Sequence, residues 1–338
     1  AASVFVRPID RDGEALSTPK LVSSKAVATG GIALATSVAR DKVTIAWTGL
    51  DAGKAQVFLT QVGPSGDRVA QRMLTRSRND CTDVALAAHG DGFLAAWVEQ
   101  QGAAAEIYAA KVGQDLTRIG AARRIATSGG DASQVRLVVQ GSDAMLVWSE
   151  ARSADGQSGI FGVRLAADDV AARDDVMRLF PVLHTQSLRL SAAGDGWVLA
   201  WVEGAQGAQG AQGAQGVADA RPRSPLVGVH RVALTALGRG RSREVSRVET
   251  AADISSVALQ CEATCRVVAA GNRGDALEVY AWDHDAVARR WSLPQPLGIV
   301  SGASPEDISP VLLGNWLFFA QDDLNGKGRI GKSRFFWP

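Results

Sequence analysis

Four tryptophans, Trp47, Trp97, Trp148 and Trp201, lie 50, 51 and 53 residues apart, each inside a near-copy of one short apolar stretch. The copies read VTIAWTGLD, FLAAWVEQ, AMLVWSEA and WVLAWVEG. A unit of this length cannot bury its own apolar faces and must stack on its neighbours. The period, together with the short strands inside it, predicts the four-stranded blades of a β-propeller.

The second repeat gives the strand order most clearly. VALAAHGDG ends in a Gly-Asp-Gly turn, and FLAAWVEQ, AEIYAAKVG and ARRIATS follow as second, third and fourth strands. Alternation rich in branched and aromatic residues, broken by Gly and Asp, is the strand-and-hairpin signal. Later copies keep the order: RLVVQGSDAMLVWSE with GIFGVRLAADD, then RLSAAGDGWVLAWVEG with LVGVHRVAL. In the fifth copy Trp282 has moved to the third strand, so the tryptophan period fails while the strand order survives.

A second marker fixes the register. Asp80, Asp131, Asp253 and Asp307 each open an Asp-x-Ser/Thr triplet four residues before the first apolar residue of a first strand (Val84, Val135, Val257, Val311). His184 holds that slot in the fourth repeat. Pairs of first and second strands number six, while the opening VFVRPIDRDGEALSTPKLVS reads as a third and fourth strand with nothing before them. The expectation is an all-β, six-bladed propeller spanning residues 1–338 as one domain. The N-terminal segment, around Val4–Ile9 or Lys20–Ser23, should close it by pairing with the 308–336 repeat. Such closure removes two free sheet edges. Seven blades, one of them partial, is the competing count, because one third strand is surplus.

The charge balance excludes some partners. Lys+Arg at 36 against Asp+Glu at 35 leaves +1, without the basic excess that nucleic-acid binding shows. No apolar run approaches the ~18–20 residues of a membrane span. Cys261 and Cys265 bracket a three-residue turn between two strands, which brings facing Cα atoms to roughly 5.5 Å, within disulfide range. A bridge there points to an oxidising compartment, periplasmic, secreted or outer-surface. The opening Ala1-Ala2-Ser3 is what signal-peptide cleavage leaves, and equally what trimming leaves. Cys81 remains as a small buried hydrophobe. Gly204 to Gly216 spells Gly-Ala-Gln four times over, and the stretch at about 204–224 is expected to be a flexible loop.

The stretches AMLVWSEARSADGQSGIFGVRLAADD, AQDDLNGKGRIGKSRFF and VFVRPIDRDGEAL resemble a family of bacterial, myxobacterial-type extracytoplasmic β-propeller repeats. Its repeat reads, loosely, LVVWxDxR followed by DIYGARV. The resemblance spans nearly the whole chain and implies a propeller outside the cytoplasm, with no reaction or site attached. The Arg273-Gly274-Asp275 tripeptide falls on that family's own turn and needs no adhesion receptor.

Loops after second and fourth strands share one rim, here called the top. It carries Glu99, Glu150 and Glu203, each two residues past its tryptophan, and the blade-crossing aspartates. Side chains that recur blade after blade point to architecture, with Asp accepting backbone N–H groups at the crossings. His184 breaks the pattern, and the loop bearing Arg221 and Arg223 overhangs the same blade, so the asymmetric part of the rim is the candidate binding face. No cofactor or metal is expected, since His89, His184, His230 and His284 stand without zinc-ligand spacing. A sialidase would need a tyrosine nucleophile and an arginine cluster, whereas Tyr108 and Tyr280 occupy a repeated core slot. The reading is a non-enzymatic scaffold, free or as one subunit of an envelope assembly, that presents its loop face to a protein or glycan. The alternative is a glycan-acting hydrolase using top-face carboxylates.

Overall fold

A computed structural model describes residues 3–10, 14–23, 28–36, 42–102, 104–129, 131–151, 158–182, 185–194, 196–203, 226–233, 243–248, 253–262, 264–273, 276–285, 290–292, 295–301, 311–313, 316–322 and 328–334. Among these residues every regular element is a β-strand. His184, Arg221, Arg223, Asp307 and the Gly-Ala-Gln stretch lie outside them.

Two short strands come first, β1 (Phe5–Val6) and β2 (Lys20–Leu21), paired antiparallel. The first full sheet follows, β3 (Ala28–Thr36), β4 (Val43–Asp51), β5 (Lys54–Val62) and β6 (Arg68–Met73). The second holds β7 (Cys81–His89), β8 (Gly92–Gln101), β9 (Ala104–Gly113) and β10 (Arg118–Ser128). The third holds β11 (Asp131–Gln140), β12 (Asp143–Ala151), β13 (Gly159–Ala166) and β14 (Met177–Phe180). The fourth is β15 (Thr185–Ala193), β16 (Gly196–Glu203), β17 (Leu226–Ala233) and β18 (Arg243–Val248). In the fifth, β19 (Asp253–Cys261), β20 (Cys265–Arg273) and β21 (Ala276–Asp285) are followed by β22 (Arg290–Trp291) and β23 (Gln295–Ser301), both paired to β21. The last sheet has three described strands, β24 (Val311–Leu313), β25 (Trp316–Asp322) and β26 (Gly328–Arg334). All pairings are antiparallel between strands close in sequence, as hairpin connections require.

The chain forms two compact units, Ala1–Pro181 and Val182–Pro338. In the first, second strands are mostly apolar and buried on successive residues because neighbouring elements cover both faces. Residues 93–98 on β8 and 144–150 on β12 are all buried. The outer strand β10 is mostly exposed and carries Arg118, Arg123 and Arg124, charges that blunt a free edge. Each repeat tryptophan of this unit lies opposite a third-strand aromatic ring. Trp47 stacks on Phe58 at 4.6 Å, Trp97 on Tyr108 at 5.9 Å and Trp148 on Phe161 at 6.2 Å. The β1–β2 pair joins this core: Val4 and Val22 are buried with Ile45, Trp47, Phe58 and Val62.

In the second unit, Val198, Ala200 and Val202 of β16 pack with Val257, Val267 and Trp282 from the fifth sheet. Trp282 sits on β21 opposite Val267, two residues beyond Tyr280. The hairpin between β19 and β20 carries the Cys261–Cys265 disulfide across facing positions, with Cα atoms 4.0 Å apart rather than at the wider spacing expected.

Candidate functional site

First strands share an irregularity that places the inter-sheet contacts. A register shift falls between Thr82 and Val84, between Ser133 and Arg136, between Thr185 and Ser187, and between Ile254 and Ser256. At this bulge Asp83 adopts φ 46° and Gln134 φ 54°. Asp83 Oδ2 accepts from the Val135 amide of the next sheet at 3.0 Å, and Oδ1 from Val84 at 3.1 Å. In the second unit Ser187 Oγ accepts from the Val257 amide at 3.3 Å. At two of these bulges, those of Asp83 and Ser187, the residue just before the first apolar position thus staples one sheet to the next, a role that sequence reading did not assign. The signal was present as a polar residue ahead of Val84, Val135, Leu188 and Val257.

The blade-crossing aspartates occupy different settings. Asp80 Oδ1 accepts from the Ala55 amide of β5 at 2.9 Å, while Oδ2 lies 3.1 Å from Lys54 Nζ. The Ala55 amide, then the Lys54 ammonium, hold its carboxyl below the usual range. Asp131 is exposed at the start of β11, opposite Ala151. Asp253 opens β19 opposite Asn272, and Glu203 ends β16 opposite Thr185 and Leu226.

The top rim of the second sheet departs most from its repeat. Glu99 on β8 and Glu106 on β9 are register partners, so both side chains project from the same face at about 4.5–5.5 Å between Cβ atoms. Glu99 Oε1 accepts from the Ser77 hydroxyl and, at 3.2 Å, from Asn79 Nδ2, while among the described residues nothing donates to Oε2. Glu106 is buried, with both oxygens occupied. Oε1 accepts from Arg124 Nη1 at 2.7 Å, and Oε2 from the Tyr108 hydroxyl at 2.6 Å and Gln101 Nε2 at 2.5 Å. The Tyr108 hydroxyl first, then the Arg124 guanidinium, hold the Glu106 carboxyl below its ordinary value. Burial and the Glu106 carboxylate push the Tyr108 phenol up to about 12, the opposite of an activated nucleophile. Beneath them Cys81 is fully buried, and burial raises its thiol to about 11.

Elsewhere the same two positions are not both acidic. The register partners are Gly49 and Gln56 in the first sheet, Glu150 and Gly159 in the third, Glu203 and Leu226 in the fourth, and Gly271 and Glu278 in the fifth. Gln56 fixes the 75–77 loop through Thr75 and Ser77. Glu150 is buried at 4% exposure, and its Oε2 accepts from Trp148 Nε1 at 3.1 Å. A cross-strand carboxylate pair is therefore specific to the second sheet among these five. Among the described residues no group of three or more His, Cys, Asp and Glu side chains could hold a metal ion.

No family model and no curated protein matches the chain. Solved structures do. The α-L-arabinofuranosidase of Fusarium graminearum, in complex with an iminosugar inhibitor, matches at 9% identity over 98% of this chain and 97% of that one, with a TM-score of 0.53. Prolyl oligopeptidase B from Galerina marginata matches at 12% identity over 95% of this chain, which spans 43% of that longer one, with a TM-score of 0.53. The β-propeller domain of the Trilobed protease from Pyrococcus furiosus matches at 8% identity over 91% of this chain and 81% of that one, with a TM-score of 0.49. Together with the succession of antiparallel four-stranded sheets, the two likenesses at a TM-score of 0.53 support the β-propeller fold.

One expectation is corrected here. The chain was read as a non-enzymatic scaffold that binds a partner. The structures it resembles at a TM-score above 0.5 over nearly its full length include a named arabinofuranosidase and a named oligopeptidase. Repetition, which argued for pure architecture, does not extend to the Glu99–Glu106 pair. The alternative is taken forward.

Proposed function

We propose that the chain is an extracytoplasmic hydrolase acting on glycans, with the top-rim carboxylates of the second sheet as its reactive groups. The observation that carries this reading is the Glu99–Glu106 pair, two acids in register in one sheet of an otherwise repetitive array. Glycosidases work with two carboxyl groups flanking the scissile bond. In this reading Glu99, anchored through Oε1, uses Oε2 to pass a proton to the departing glycosidic oxygen. Glu106, kept ionised by Tyr108 and Arg124, supplies fixed negative charge beside the positive charge that develops on the sugar, water then adds to the anomeric carbon, and the proton it sheds returns to Glu99 Oε2. The activity named for the Fusarium protein supports glycosides as the substrate class. The Cys261–Cys265 disulfide supports an oxidising compartment, and no helix among the described residues is long and apolar enough to cross a membrane.

The test is turnover of a panel of 4-nitrophenyl glycosides, pentofuranosides included. At least one should be hydrolysed, and Glu99→Gln should lower kcat by about 10²-fold or more, the usual worth of a general acid. Melting of this variant should stay close to that of the parent, because Ser77 and Asn79 can still donate to the amide oxygen. Absence of turnover across the panel, or full activity in Glu99→Gln, would overturn the reading.

We also infer six blades, closed by the N-terminal pair β1–β2 joining the three strands β24–β26. Six pairs of first and second strands support the count. Support for closure comes from the last sheet, which has three described strands where each of the first four full sheets has four.

A further inference from the structure

A second concavity lies on the rim opposite Glu99, where the β7–β8 turn, the β9–β10 turn and the loop after β13 converge. It encloses about 680 Å³, within the range of roughly 300–1,000 Å³ usual for small-ligand sites. His89 and Asp168 close one side, with His89 Nε2 and Asp168 Oδ1 3.0 Å apart although 79 residues separate them in sequence. Lys111 is half-buried on β9, Asp91 stands on the Gly90-Asp91 turn, and Asp115 stands on the turn after β9. Ile119, 54% exposed, supplies an apolar edge.

Two turns hold this geometry. Asp115 Oδ1 accepts from the Thr117 amide at 3.0 Å and from its hydroxyl at 2.5 Å, which leaves Oδ2 for another donor. Gly90 has φ +53°, and a Cβ on Gly92 would run into the Val112 carbonyl oxygen, so the β7–β8 turn has one shape. The side chains of Asp91 and Lys111 make no hydrogen bond or salt bridge among the described residues. The hydrogen bond with His89 comes first in holding the Asp168 carboxyl below its ordinary value, and Lys111 helps through its charge alone.

We propose that this pocket binds a neutral sugar residue, as a glycan subsite apart from the carboxylate pair. The choice of a glycan rests on the hydrolase reading, while the choice of a neutral one rests on the pocket. Three carboxylates against one ammonium and one imidazole disfavour an anionic ligand. Vicinal hydroxyls both donate and accept, and here they meet acceptors on Asp91, Asp115 and Asp168 beside a donor on Lys111. The C–H face of the ring has Ile119 to lie against. A polymer held on this rim would be retained on the enzyme whatever happens at the other.

Affinity electrophoresis tests this in native gels containing arabinan, xylan, mixed-linkage β-glucan or dextran, with polygalacturonate as the anionic control. The chain and its Glu99→Gln variant should both be retarded by at least one neutral polymer. Asp91→Ala combined with Lys111→Met should weaken that retardation by about tenfold or more, with aryl-glycoside turnover and melting unchanged. Ile119→Glu, a change on an exposed outer strand, should weaken it independently. Retardation by polygalacturonate alone, by no polymer, or undiminished in these variants would overturn the proposal. Failure of the hydrolase reading is a separate result: retention in the gel with no turnover of any aryl glycoside.

Discussion

Glu106 fills the slot that Gln56 fills one sheet earlier, and exchanging an amide for a carboxylate changes what the position can do. Gln56 both donates and accepts, so it ties down a loop. Glu106 only accepts, so it gathers Arg124, Gln101 and Tyr108 and commits the tyrosine proton to itself. Linkage then fixes the sign of two pH effects. The Glu106 carboxyl lies below its ordinary 4.5, so its contribution to stability is present above that value and is lost as pH falls through the folded one. The Tyr108 phenol lies above its ordinary 10.0, so its contribution is complete below 10.0 and fades as pH rises towards about 12. Alkaline titration followed by tyrosinate absorbance should show one phenol ionising near about 12 in the folded chain, absent from Tyr108→Phe. An unshifted titration would mean that the Tyr108–Glu106 bond is not formed in solution.

At the scale of single elements, the first strand does two jobs: it forms a ladder with the second, and through its bulge it reaches the next sheet. Asp83→Ala removes acceptors from the Val84 and Val135 amides and places Cβ-bearing alanine at a φ of 46°. A loss of about 2–3 kcal/mol is expected from the orphaned amides and the strained backbone. Asp83→Asn, which keeps one acceptor oxygen and tolerates positive φ, should recover much of it. Urea unfolding measures both, and equal losses in the two variants would remove the staple. This division of labour also marks what the sequence could tell. Strand order, turns and the Trp–aromatic pairing were legible because period-2 apolar runs and Gly/Asp turns are local signals. The Asp80 triplet was legible because it recurs. Asp83 was not, because Asp83, Gln134, Ser187 and Ser256 share a geometry and not a residue type. Glu106 was passed over for a related reason: its partners lie two, five and eighteen residues away, and only strand pairing across β8, β9 and β10 brings them together. The pocket at His89 was invisible for the same cause, since Asp168 belongs to another sheet.

For the whole molecule, the open question is how a linear array of sheets avoids two raw ends. The β1–β2 pair has two ladder rungs, Phe5 opposite Leu21 and Val6 opposite Lys20, far too few to persist alone. It is held by Val4 and Val22 in the core beneath Trp47, and by Lys20 Nζ at 2.7 Å from Asp67. Phe5 and Leu21 are 58% and 51% exposed. Deleting residues 1–23 should cost about 3–6 kcal/mol from the burial of Val4 and Val22 alone, at about 1.5–3 kcal/mol each. That loss follows from the first unit and would occur without closure. Ring closure adds a distinct consequence at the other end of the sequence. Amide hydrogens in β25 and β26, more than 300 residues from most of the deleted segment in chain order by their numbering, should exchange faster in the truncated protein, while those in β12 and β13 should change little. Hydrogen exchange read by mass spectrometry at a denaturant-free pH separates the two cases. Loss of protection confined to β3–β6 would leave the N-terminal pair as a local cover and the last sheet closed by something else; loss at β25–β26 would make the first residues of the chain the latch of the last blade.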